Sequence, residues 1–316
     1  MAFRNRPFRI RGPVVLLALI IAAISHVAKA DAGAPAGVSH VTAPTRYIDA
    51  AGVRIAYRRF GHQGGIPIVF FQHFAGTMDN WDPEVVDGIA RTHEVILFDN
   101  AGVAGSAGTV PTTIAAMADQ AIAILSVLQV KEADLLGFSM GSMIAQDVAI
   151  KQPGLVHRLV LVGSTPRGGV GMATLTPEFQ NALAKKHAVP EDLLLETLFT
   201  PSAESQRAGH AFMARLRART VDRDVEPNDK VASAQTAALA DWGKPVPKGY
   251  DYLHDIRQPV LLVTGSNDLV FYTINGFNLQ QHLPDAQLII YPDTGHGPQD
   301  QYPSQFVEDV TRFLAR

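Results

Sequence analysis

Cysteine is absent from all 316 residues, so the chain can hold no disulfide, no thiolate metal site and no cysteine nucleophile. Charge is sparse, at 18% of residues, and basic side chains do not predominate: 27 Lys and Arg stand against 30 Asp and Glu. Every acidic residue lies after position 30, while Arg4, Arg6, Arg9, Arg11 and Lys29 precede it. An acidic body has no electrostatic attraction for a phosphate backbone, so nucleic acid is not an expected partner. No His-Glu-x-x-His zinc pattern, no P-loop and no internal repeat occurs, and neither a metal nor an organic cofactor is expected.

What the chain does contain first is an apolar run, Val14 to Ile24, behind those basic residues. Ala28-Lys29-Ala30 then puts small residues at the positions that specify cleavage. A basic segment, a short apolar segment and an A-x-A site together predict a secretory signal peptide over 1–30, cut after Ala30. The protein is accordingly expected in the periplasm or secreted, with no stable membrane association after cleavage. A retained anchor is the alternative, although the uncharged stretch Gly12–Ala28 is short for a span. No Arg-Arg pair in this segment points to the twin-arginine route.

The Ala-, Gly- and Pro-rich stretch 31–44 reads as a linker. Beyond it strands and helices alternate. Strands are predicted at Thr45–Asp49, Val53–Phe60, Ile66–Phe71, Glu94–Phe98, Leu135–Phe138, Leu159–Val162, Val260–Val263 and Leu288–Tyr291. Apolar, β-branched runs separated by helical periods specify an α/β protein, a mostly parallel central sheet flanked by helices. The rhythm breaks from Arg167 to Tyr250, where only helical stretches occur: Pro177–His187, Glu191–Phe199, Ala203–Arg219 and Lys230–Trp242. This divides the chain into a core, 45–166 and 251–316, and a helical insertion, 167–250.

Chemistry concentrates at Gly137-Phe138-Ser139-Met140-Gly141, a G-x-S-x-G between a strand and a helix. A serine nucleophile there stands on a strained turn, and glycines two residues away on each side let strand and helix approach. The helix N-terminus adds partial positive charge where an oxyanion would form. A serine hydroxyl needs a base. Of the 11 histidines, His26 falls in the signal segment and His40 in the linker. His62, His93, His157 and His282 flank element ends, and His187, His210 and His254 lie in or beside the insertion. His296, between Gly295 and Gly297 after the last strand, is the candidate base, because loops at the C-terminal ends of parallel strands build sites. Asp268, just past Val260–Val263, is the candidate orienting acid. Asp293, three residues before His296, is expected to shape its loop instead. The order Ser139, Asp268, His296 is one known for such triads. The Met140 N–H is the expected oxyanion donor.

Together, His73 with its loop, Asp99–Ser106, Gly137–Gly141, Gly265–Asp268 and Gly295-His296-Gly297 resemble the α/β-hydrolase superfamily over residues 45–316. The resemblance implies that 167–250 is a helical cap over the pocket. It also implies a second oxyanion donor two residues after His73, the N–H of Ala75. Phe74 replaces the family's usual glycine, and Ala104 replaces another. Serine at the elbow disfavours dehalogenases and epoxide hydrolases, which carry aspartate there. The implied activity is cleavage of a small or medium carboxylic ester or lactone through an acyl-enzyme. A cofactor-free perhydrolase, a carbon–carbon bond hydrolase and a non-catalytic ligand-binding protein are the alternatives. The expected partner is an apolar small molecule, contacted by Phe74, Phe138 and Phe271. Trp81 and Trp242 are expected mainly in packing.

Overall fold

The structure, a computed structural model, describes residues 37–316. The expected signal segment, its cleavage site and residues 31–36 of the linker lie outside the described residues. Among the described residues no helix is long and apolar enough to cross a membrane.

The elements in chain order are β1 (Arg46–Ala50), β2 (Val53–Gly61), β3 (Ile68–Phe71), α1 (Pro83–Ala90), β4 (Glu94–Phe98), α2 (Ile114–Val127), β5 (Ala133–Phe138), α3 (Met140–Lys151) and β6 (Val156–Val162). Then come α4 (Pro177–Ala184), α5 (Pro190–Leu198), α6 (Ala203–Leu216), α7 (Asp229–Trp242), β7 (Val260–Gly265), α8 (Ile274–His282), β8 (Ala286–Tyr291), α9 (Pro298–Gln301) and α10 (Pro303–Leu314). The eight strands form one sheet in the order β1-β2-β4-β3-β5-β6-β7-β8. β1–β2 and β2–β4 pair antiparallel, and every other neighbour pairs parallel. This is the expected α/β architecture.

The central strands β3, β4, β5 and β7 are buried at every residue, as continuous apolar runs require when helices cover both faces. Two apolar clusters result, one on each face of the sheet. Full burial of each Leu, Ile or Val contributes about 1.5–3 kcal/mol. The chain turns from β3 outward to β4, then returns across β3 to β5. That reversal leaves a crevice at the C-terminal ends of β3 and β5, where such sheets bind ligands.

Several boundaries differ from expectation, and three of them show the physical reason. β3 starts at Ile68 rather than Ile66, because Pro67 has no N–H for the ladder; its carbonyl accepts from the Asp134 N–H instead. α6 stops at Leu216, and Arg219 beyond it turns inward, 3% exposed. α4 stops at Ala184, where the Lys185 backbone turns extended. Over residues 37–44 the expected linker is packed rather than free. His40 and Ala43 are buried, and Arg219 donates to the carbonyls of His40, Val41 and Ala43 at 2.9–3.0 Å. Both tryptophans pack: Trp81 stands edge-on to Phe70, and Trp242 donates to Thr165 O beneath the Arg167 guanidinium.

Candidate active site

Ser139 joins β5 to α3 with φ +53° and ψ −121°, a conformation that strains a residue bearing a side chain. The two flanking glycines permit it. A β-carbon on Gly141 would lie 2.0 Å from Phe71 O, and one on Gly137 would lie 2.5 Å from Gly141 O. The turn is held by the Ser139 N–H to Val162 O at 2.9 Å and the Ser142 N–H to Ser139 O at 2.9 Å. Met140 opens α3, so its N–H has no carbonyl one turn earlier to accept from it.

The structure brings the three polar candidates together. His296 Nε2 lies 2.8 Å from Ser139 Oγ, and His296 Nδ1 lies 2.7 Å from Asp268 Oδ2. A carboxylate only accepts, so Nδ1 carries the proton and Nε2 is left to accept from the serine. Asp268 is itself fixed: its Oδ1 accepts from the N–H groups of Val270 and Phe271, each at 2.9 Å. Ser139, Asp268 and His296 are all buried. Asp293 faces elsewhere, accepting from the hydroxyls of Thr200 and Ser202 at 2.6 Å, and these bonds hold its carboxyl below the usual range.

Aromatic rings set the attitude of the imidazole. Phe138 and Phe271 each stand 5.1 Å from the His296 ring, Phe271 edge-on. Both are buried, whereas Phe74 is half-buried in the loop after β3. His73, in that loop, packs edge-on against Phe138 and bonds Phe74 O at 2.8 Å. Loss of hydration pulls its pKa down to about 4, His296 reinforcing the shift and the Phe74 bond opposing it. His73 is therefore a neutral wall of the site.

The Ala75 N–H, the second donor that the resemblance implies, is engaged. It donates to Gln235 Oε1 of α7 at 2.6 Å. The helical insertion also grips the histidine loop: the His296 N–H donates to Thr197 O at 3.0 Å, and the Gly297 N–H to Leu198 O at 3.1 Å. Sequence reasoning singled out none of Gln235, Thr197 or Gly163. Gly163 alone carried a local signal, as a glycine directly after an apolar strand.

A cavity of about 900 Å³ lies between the insertion and the loops carrying Asp268 and His296, lined by Leu195, Phe199, His210, Asn267, Leu269 and Gly295. Ser139, Met140 and Ala75 are not among its walls. Among the described residues no group of three or more His, Asp or Glu side chains is placed to hold a metal.

A nucleophile elbow at a sheet's switch point, with histidine and aspartate in bonding sequence behind it, is the arrangement of α/β-hydrolases. Comparison with known proteins gives the family. The alpha/beta hydrolase fold family matches residues 66–303, and the chain belongs to it. It is similar to the pimeloyl-[acyl-carrier protein] methyl ester esterase of Nitrosomonas europaea, 31% identical over 54% of this chain and 67% of the relative. Among solved structures it resembles an alpha/beta hydrolase fold protein from Chitinophaga pinensis, 39% identical with a TM-score of 0.82, covering 88% of this chain and 99% of that one. It also resembles Est816, described as an N-acyl homoserine lactone degrading enzyme, 28% identical with a TM-score of 0.66 over 85% of this chain and all of that one.

Proposed function

We propose that this chain is a serine hydrolase that cleaves a small or medium carboxylic ester or lactone through an acyl-enzyme. The observation that carries the reading is the continuous chain from Ser139 Oγ through both nitrogens of His296 to Asp268, at 2.8 and 2.7 Å. The names of an esterase and a lactone-degrading enzyme among its relatives support the substrate class.

In this reading Ser139 Oγ attacks the carbonyl carbon as His296 Nε2 takes its proton. Asp268 stabilises the imidazolium that forms. The carbonyl oxygen gains negative charge, stabilised by the Met140 N–H and, as it replaces Gln235 Oε1 as acceptor, by the Ala75 N–H. His296 then gives the proton to the departing alkoxide. Water, deprotonated by the same nitrogen, releases the acid. Residues 167–250 act as the cap: the bonds from Thr197 and Gln235 tie this segment to the catalytic loops.

The test is hydrolysis of p-nitrophenyl esters from C2 to C12 by the protein and by Ser139→Ala. The expected result is a burst of nitrophenol that disappears in the variant, with a chain-length optimum at the short end. Equal rates in both proteins, or none in either, would overturn the ester reading.

A further inference from the structure

We propose that Gln235 determines acyl-group specificity, its side-chain N–H₂ recognising a hydrogen-bond acceptor oxygen two or three atoms from the carbonyl that Ser139 attacks. The inference rests on the ester and lactone reading above. Gln235 lies on the inward face of α7 with Val231, Ala238 and Trp242, and it is fully buried. That face is otherwise apolar, so an amide placed there must find partners or bear the cost of desolvation.

Half of the amide is satisfied. Oε1 accepts the Ala75 N–H at 2.6 Å, a contact spanning 160 residues of sequence. Nε2 has no hydrogen-bond partner among the described residues. Buried polar atoms are almost always paired, and an orphan calls for a reason. Oε1 and Nε2 share one planar group, so the unpaired donor stands beside Ala75, which itself holds a left-handed backbone at φ +51°. A substrate carbonyl entering this position competes with Oε1 for the Ala75 N–H and comes to lie next to Nε2.

An amide N–H₂ only donates. Its complement is therefore an acceptor such as an ether, keto, hydroxyl or amide oxygen close to the reacting carbonyl. A hydrocarbon acyl chain would leave the donor buried and unpaired, and sites built to hydrogen-bond discriminate strongly against analogues lacking the partner. The substrate class this selects is an ester or lactone oxygenated near its carbonyl.

The experiment compares p-nitrophenyl methoxyacetate with p-nitrophenyl butyrate, a pair of equal length in which an ether oxygen replaces one methylene. The ratio of kcat/KM values is divided by the ratio of uncatalysed rates. We expect the natural protein to favour the methoxyacetate by about tenfold. Gln235→Met, which keeps the volume, and Gln235→Glu, which keeps an acceptor for Ala75 but loses the N–H₂, should both bring the ratio to near one. A corrected ratio already near one in the natural protein overturns the inference without any variant. So does an unchanged ratio in either folded variant, which would make Gln235 a purely structural tie between α7 and the loop. Turnover of neither ester, or equal turnover by Ser139→Ala, overturns the ester reading itself and this inference with it.

Discussion

A β-carbon on Gly163 would stand 2.8 Å from Cε1 and 3.0 Å from Nδ1 of His296, so the imidazole lies directly against a bare Cα at the end of β6. Gly163 also holds φ +50°, where a side chain is strained. Gly163→Ala should therefore act twice. The strain should cost about 1 kcal/mol of stability. The new methyl should push His296 away from Ser139, and misplacement of this kind lowers kcat/KM by roughly 100-fold. Ester kinetics and calorimetry on the same preparation would separate the two effects. Unaltered kinetics would show that His296 has another place to sit.

Asp268→Asn should separate chemistry from folding. The remaining Oδ1 can still accept from Val270 and Phe271, so the melting temperature should stay near that of the natural protein. The new N–H₂ would face His296 Nδ1 and favour the wrong tautomer. A loss of roughly 10³–10⁴ in kcat is expected. A loss under tenfold would reassign the orienting acid.

Asp99 should make the protein lose stability as pH rises from the acid range toward 8. Burial pushes its carboxyl up to about 8, with Asp224 adding to the shift and the Met78 N–H and Arg58 opposing it. The unfolded chain releases this proton near the ordinary value of 3.8, before the folded chain does. The stability tied to the neutral acid is thus complete below that value and is lost as pH rises toward 8. Asp99→Asn keeps an acceptor for the Met78 N–H. Melting temperatures at pH 5 and pH 8 should fall less between the two in Asp99→Asn than in the natural protein. Parallel declines would show that other groups set the slope.

The group on the Met78 carbonyl should weaken the protein in acid. His40 Nε2 lies 3.0 Å from Met78 O, and burial pulls its pKa down to about 4 from 6.5. The unfolded chain binds this proton first as pH falls, so stability is complete above 6.5 and is lost toward 4. His40→Gln should flatten the acid limb of the melting curve between pH 6.5 and 4.5, and an unaltered limb would contradict the assignment.

Arg219 should be a stability residue with no part in the chemistry. It is 3% exposed, donates to three carbonyls in residues 40–43 and lies 3.4 Å from Asp79. Arg219→Met should cost about 3 kcal/mol in urea unfolding, since the carbonyls and the buried Asp79 lose a partner. Limited proteolysis should then cut near His40 first. Loss of stability without earlier cleavage would place the defect elsewhere.

Much of the candidate site was legible because its parts are local. Ser139 sits on a turn whose strain depends on Gly137 and Gly141, two residues to either side. Asp268 and His296 each follow an apolar run, and in a parallel sheet the ends of such runs meet at one edge whatever the loops do. Asp293 ranks below Asp268 for lying three residues before His296; what occupies its carboxylate is not local, since it accepts from Thr200 and Ser202, 93 and 91 residues away in sequence.

Gln235, Arg219 and His40 read differently. In sequence Gln235 is one polar residue on an amphipathic helix, Arg219 one charge in a helical stretch, and His40 one ring in a small-residue linker. Each acquires its role from a partner far along the chain: Ala75 for Gln235, and His40 with its neighbours for Arg219. The sequence by itself determined the strand and helix periods, the nucleophile turn and the order of the three polar residues, because those depend on backbone sterics and side-chain spacing within a few residues. Only the tertiary structure decided which buried donors lack acceptors and which carboxyls stay protonated. Desolvation and hydrogen bonding depend on what the folded chain brings within 3 Å, and no local pattern records that distance.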